Sequence, residues 1–205
     1  MRVLWLLEEL GLECELRVWS LTDGSLRSPA FRALSPAGRI PALEIDGRAI
    51  FESGAIVQYL TEREGRLAPP PGDPGRADFL EWVHFAETQA NILQALNIHH
   101  IFLRPAAARS VALMRLDTRR LAITAEALER HLAQHATLLM DEFSAADCMM
   151  GFNLDAVFRF LPAADYPALA AYRDRMRERP AYRRAEAQGG GNAIYDRDFY
   201  EVPDA

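Results

Sequence analysis

Apolar positions along the 205-residue chain follow helical spacing over most of its length and strand spacing only near its start. Across residues 76–104, Phe79, Leu80, Val83, Ala86, Ala90, Leu93 and Leu96 fall on one face of a 3.6-residue helix. Residues 106–135 repeat the pattern with Leu113, Leu116, Leu121, Ala125, Leu128 and Leu132, and Pro105 divides the two. At the other end, residues 1–10 place Val3, Leu4, Leu7 and Leu10 on one face, widened by Trp5 and Leu6, before Gly11 stops the helix. Shorter helices are expected over 29–34, 54–64, 149–160, 166–178 and 180–188. Three stretches read as strands. Residues 15–19 alternate, with Leu16 and Val18 opposite Arg17 and Trp19. Residues 42–45 and 49–51 flank Asp46-Gly47, a strong short-range hairpin signal.

The order is therefore helix, strand, short helix, strand, strand, helix, followed by helices alone. The fold class is α+β: a mixed N-terminal domain over residues 1–66 and an all-helical C-terminal domain over 76–188. Residues 67–75 contain Pro69-Pro70-Pro71-Gly72 and Pro74-Gly75, which favour stiff extended chain, and read as a linker. Residues 189–205 read as a tail released by Gly189-Gly190-Gly191, free or folded over a cleft. Ser144 and Asp147 form a variant capping box at the start of the most apolar helix, with Phe143 stapled onto Cys148.

Composition narrows the class. Half the residues are hydrophobic and a quarter charged, an ordinary globular balance. A net charge of −6 without a basic run argues against nucleic acid. Two cysteines far apart, Cys14 and Cys148, suit a reducing cytoplasmic setting, and no apolar run approaches the ~20 residues of a membrane span. Cys148 lies among Met149, Met150 and Phe152 as a core residue, and Cys14 has no evident base or cation to activate it. His131 and His135 share a helical face, but no third ligand accompanies them, so no metal site is expected. His99-His100 reads as a partly exposed helix end.

The chemistry concentrates in residues 35–53. Pro41 stands at the entrance of a strand, where a cis bond would put Ile40 in a sharp bend. Ser53 directly precedes the helix 54–64 and is expected to cap it, with Glu52 at the positive end. A ligand carboxylate would take the Ser53 hydroxyl and helix N–H groups, an ammonium would take Glu52, and an extended ligand backbone would pair with Ile40. That set suits a small zwitterionic peptide. Arg39, beside the bend, is a candidate for a further carboxylate. His84, Glu87, Thr88 and Asn91 share turns of the long helix that face a cleft or a subunit boundary.

Gly-Arg-Ile-Pro-Ala-Leu at 38–43 and Phe-Glu-Ser-Gly-Ala-Ile at 51–56 resemble the glutathione-binding half of the cytosolic glutathione transferases, bacterial type, and the resemblance extends over nearly the whole chain. It implies a thioredoxin-like N-terminal domain, a cis Pro41, pairing of Ile40 with the cysteine of glutathione, and capture of the γ-glutamyl end by Glu52 and Ser53. Arg39 would meet the glycine carboxylate. It also implies a homodimer, and conjugation of the glutathione thiol to a small electrophile. In the family a strand and a loop precede the first helix, and the loop carries the Ser, Tyr or Cys that activates the thiol. Met1 stands at the start of that helix here, so the thioredoxin-like domain is expected to be incomplete, with its first strand absent. No catalytic residue is assigned, and coding sequence upstream is expected to supply one. The alternatives are a non-catalytic interaction module of the same fold and a disulfide reductase, the latter disfavoured by the lack of a cysteine in that loop.

Overall fold

A computed structural model describes residues 1–21, 23–140, 142–189 and 194–202. Helix α1 (Arg2–Leu10) buries Val3, Leu4, Trp5, Leu6, Leu7 and Leu10 and ends at Gly11 in the left-handed conformation that a glycine tolerates best. Helix α2 (Pro29–Leu34) is capped by the Ser28 hydroxyl, which accepts from the Phe31 N–H at 3.2 Å. Strands β1 (Ala42–Ile45) and β2 (Arg48–Phe51) pair antiparallel, with Leu43 opposite Ile50 and Ile45 opposite Arg48. Asp46 and Gly47 both take positive φ, 50° and 76°, as a two-residue primed turn requires. Helix α3 (Ser53–Glu64) closes the N-terminal part and buries Ile56, Val57 and Leu60 against α1.

The helical part comprises α4 (Arg76–Asn97), α5 (Val111–Leu132), α6 (Ala145–Val157), α7 (Pro167–Glu178) and α8 (Pro180–Gly189). Its centre is α6, packed on α1, α3, α4 and α7, with Cys148, Met149, Met150 and Leu154 fully buried. The Asp147 carboxylate accepts from the Ser144 N–H (2.8 Å) and hydroxyl (3.1 Å), the Leu138 N–H (3.1 Å) and the Tyr172 hydroxyl (2.7 Å). Four donors offset the burial that pushes this carboxyl upward in pKa. The two parts are joined by α1: Glu9 receives both nitrogens of a bidentate contact from Arg179, at 2.6 and 2.8 Å, and the Trp5 indole N–H at 2.9 Å.

Several expectations need correction. Residues 15–19 form no strand: Leu16 and Val18 are exposed, and Arg17 reaches β1 only through its side chain, which donates to Glu44 at 2.8 Å. Alternation gives strand geometry only where a neighbouring backbone completes the ladder, and among the described residues the sheet has two strands. Its order is β1-β2. The long helix at 76–104 ends its regular turns at Asn97, continues as a π-helical turn (Ile98–Phe102), and is followed by a cis Arg104–Pro105 bond; α5 begins only at Val111. His100 is buried, not a partly exposed end. Phe143 meets the Trp5 ring at 5.9 Å and the Arg179 guanidinium at 3.5 Å. Gly190 and Gly191 of the expected release point lie outside the described residues. Beyond them, the Tyr200 N–H donates to the Arg159 carbonyl at 2.8 Å and its ring stacks 5.5 Å from Phe160, so this part of the tail is folded back.

Candidate functional site

Four elements meet at the N-terminus of α3. Ser53 is the first helical residue rather than the cap, and its side chain accepts no helix N–H. Glu52 occupies the cap position with φ 69°. That conformation is strained for a residue with a Cβ and is found preferentially where surrounding structure holds it for a purpose. Glu52 is exposed and its carboxylate makes no hydrogen bond among the described residues, its carbonyl accepting from the Ile56 N–H at 3.0 Å, whereas Ser53 is buried.

The Ser53 hydroxyl donates to Glu87 Oε1 on α4 at 2.7 Å and accepts from Arg2 Nη1 at 3.0 Å. Arg2 Nη1 also donates to Glu87 at 2.6 Å, and Nη2 to Asn153 Oδ1 on α6 at 2.7 Å and to the Ala86 carbonyl at 3.3 Å. Asn153 Nδ2 completes the ring by donating to the same carbonyl at 2.8 Å. Burial lowers the Arg2 pKa, opposed by Glu87, and its Nε is buried without a partner among the described residues. Ser53, expected to act from a helix end, is therefore held by side chains of α1 and α4, with Asn153 of α6 one bond further on. Sequence reasoning included Glu87 and missed Arg2 and Asn153. The signal for Asn153 was its amide inside the apolar run Met149-Met150-Gly151-Phe152-Leu154, where an uncompensated polar group is costly.

The bend lies two turns further along α4. The Ile40–Pro41 bond is cis, Ile40 is half exposed, and its backbone makes no hydrogen bond among the described residues. Arg39 reaches Gln94 Oε1 at 3.4 Å, while its own N–H is held by the Ser35 hydroxyl at 3.2 Å. Glu87, which touches Ser53, and Gln94, which touches Arg39, lie about 10 Å apart on one helix. That is roughly the reach of three extended residues. Ser53 and Arg39 thus each contact α4, two turns apart, with Glu52 next to the first and Ile40 and Pro41 next to the second in sequence. Of the other α4 candidates, Thr88 and Asn91 bond back to helix carbonyls, and His84 is exposed.

The rival positions are different. Cys14 is exposed, and partial burial together with Glu8 raises its thiol pKa, the wrong direction for a nucleophile. Cys148 is buried and raised further. The His131 and His135 rings lie 4.8 Å apart, tilted by 43°, and His131 Nε2 contacts the Thr137 carbonyl oxygen at 3.2 Å. No helix among the described residues is long and apolar enough to cross a membrane.

Residues 1–63 match the glutathione S-transferase N-terminal domain and residues 94–180 the C-terminal domain. The chain is 30% identical over 185 residues to the Escherichia coli disulfide-bond oxidoreductase YfcG, covering 85% of this chain and 84% of the relative. It is 28% identical to glutathione S-transferase 3 of Schizosaccharomyces pombe, covering 94% and 85%. The glutathione transferase URE2P8 of Phanerochaete chrysosporium, solved with oxidized glutathione, superposes with a TM-score of 0.82 at 26% identity, covering 91% and 88%. The chain belongs to the glutathione S-transferase family.

Proposed function

We propose that the protein binds glutathione along α4 and passes its thiol to a small electrophile. The observation that supports this reading is that Ser53 and Arg39 contact α4 at Glu87 and Gln94, about 10 Å apart or one extended tripeptide, with Glu52 adjoining the first and the free backbone of Ile40 adjoining the second. The γ-glutamyl ammonium faces Glu52, its carboxylate faces Ser53 and the positive end of α3, the cysteine pairs with Ile40, and the glycine carboxylate faces Arg39. Arg2, bonded to Ser53, stands at the N-terminus of α1, and a helix N-terminus lowers the pKa of a nearby thiol. The thiol proton leaves to solvent, the thiolate sulfur forms a bond to carbon, and the leaving group departs with the electron pair of the broken bond. The reading includes a cytoplasmic homodimer.

A second reading, reduction of a disulfide, is favoured by the name of the YfcG relative and by the oxidized glutathione in the URE2P8 structure. Two glutathione thiols would then supply two electrons and two protons, joining as oxidized glutathione while the substrate S–S bond is reduced to two thiols. Product analysis with 1-chloro-2,4-dinitrobenzene and, separately, bis(2-hydroxyethyl) disulfide distinguishes the two. Thioether and chloride are expected from the first; oxidized glutathione as the sole accelerated product would replace the first reading by the second. Acceleration of neither leaves the non-catalytic module.

A further inference from the structure

Side chains and backbone from α3, α4 and α6 surround Arg2, and their contacts are not equivalent. Arg2 Nε has no partner among the described residues, so the two terminal nitrogens alone fix the guanidinium plane. Nη1 serves Ser53 and Glu87, at 3.0 and 2.6 Å. Nη2 serves Asn153 Oδ1 on α6 at 2.7 Å and, at the long distance of 3.3 Å, the Ala86 carbonyl. The far edge of the plane therefore depends on Asn153. The Phe152 ring, from the preceding residue of α6, has its centre 5.8 Å from the guanidinium carbon and adds a flat wall without a hydrogen bond.

Asn153 is itself fixed. It is 2 % exposed, and its Nδ2 donates to the Ala86 carbonyl at 2.8 Å. A side-chain amide carries its donors on one arm and its acceptor on the other. With the donor arm on a carbonyl, the acceptor arm faces the guanidinium; a turned amide would set donor against donor and oxygen against oxygen. One side chain on α6 thus ties α4 to Arg2, and Arg2 carries that tie to Ser53 on α3. The Arg2 charge stands 3.0 Å from the hydroxyl that the glutathione reading sets against the γ-glutamyl carboxylate. Of the two Nη1 contacts, the one to Ser53 is longer and joins an uncharged partner, so a tilt of the guanidinium loosens Ser53 before Glu87.

We infer that Asn153 is a positioning residue for glutathione: from α6 it fixes the Arg2 guanidinium beside Ser53 and so sets the affinity for the γ-glutamyl end. This rests on the glutathione-binding reading above. The test is a double-mutant cycle, read by calorimetric titration of glutathione into the full chain, with Asn153→Leu, Ser53→Ala and the pair. Leucine nearly keeps the volume and removes both amide contacts. In the wild-type background it should weaken glutathione binding roughly five- to twentyfold. In the Ser53→Ala background the loss should be less than about twofold, because the effect passes through the missing hydroxyl. In an Arg39→Ala background, at the other end of the ligand, the full loss should remain. A merely structural role would lower the affinity by the same factor in all three. Asn153→Asp, which keeps an oxygen facing Arg2, should bind within about threefold of the wild type. If circular dichroism shows the leucine variant unfolded, Asn153→Ser goes through the same cycle. Equal losses with and without the Ser53 hydroxyl, or a loss below about twofold in the wild-type background, overturn the inference while wild-type glutathione binding stands. No wild-type binding at millimolar glutathione overturns the glutathione reading, and this inference with it.

Discussion

Replacing Ser53 by alanine tests whether the network at the head of α3 is structural as well as ligand-facing. The substitution removes a 2.7 Å bond donated to Glu87 and a 3.0 Å bond accepted from Arg2. Hydrogen bonds to charged partners contribute about 1.5–3 kcal/mol each. Here the loss is smaller than the sum, because Arg2 and Glu87 keep their own 2.6 Å contact and the Glu87 side chain is one-third exposed. A destabilisation of about 1–2 kcal/mol follows, or a fall in Tm of roughly 2–8 °C for a chain of this size. Urea unfolding followed by far-ultraviolet circular dichroism measures it, with Glu52→Ala as the control. The Glu52 side chain is exposed and makes no hydrogen bond among the described residues, so its replacement should leave the midpoint in place. If Ser53→Ala unfolds at the wild-type midpoint, or Glu52→Ala shifts as far as it does, the network does not support the fold as described.

Gly151→Ala should destabilise by about 1–3 kcal/mol, because the added Cβ would meet two ring atoms of the fully buried Trp5 at 3.0 Å; differential scanning calorimetry checks it. His100, between Phe160 and Tyr200 and facing Arg109, His99 and Arg197, has its pKa lowered by burial to about 4. The unfolded chain takes up that proton from about pH 6.5, so stability is complete above this pH and falls as pH drops toward 4, by up to about 2–3 kcal/mol. In His100→Phe that part of the pH dependence of the urea midpoint should vanish. Light scattering at micromolar concentration should give twice the 23.0 kDa chain mass, and a monomer would refute the homodimer.

The helices were legible because each buries a continuous apolar stripe, and the hairpin because Asp46-Gly47 determines its register. Residues 15–19 were misread since alternation records which side chains share a face, not whether another backbone is present to pair. The break after Asn97 was hidden for a related reason: the apolar spacing continues through Ile98 and Ile101 while the backbone widens to a π turn. At the candidate site, Glu52, Ser53 and Pro41 stand in one short segment and could be read as a unit. Arg2 and Asn153 join them from 51 and, through Arg2, 151 residues away, a separation at which only the packing of α1 on α6 brings the groups together.

Calorimetric titration of glutathione into the wild-type chain and Glu52→Ala tests the central claim most directly. The account predicts saturable binding to the wild type and an affinity lower by roughly tenfold or more in the variant, with the variant fully folded. Absence of wild-type binding at millimolar glutathione, or equal affinity in the two proteins, would contradict it.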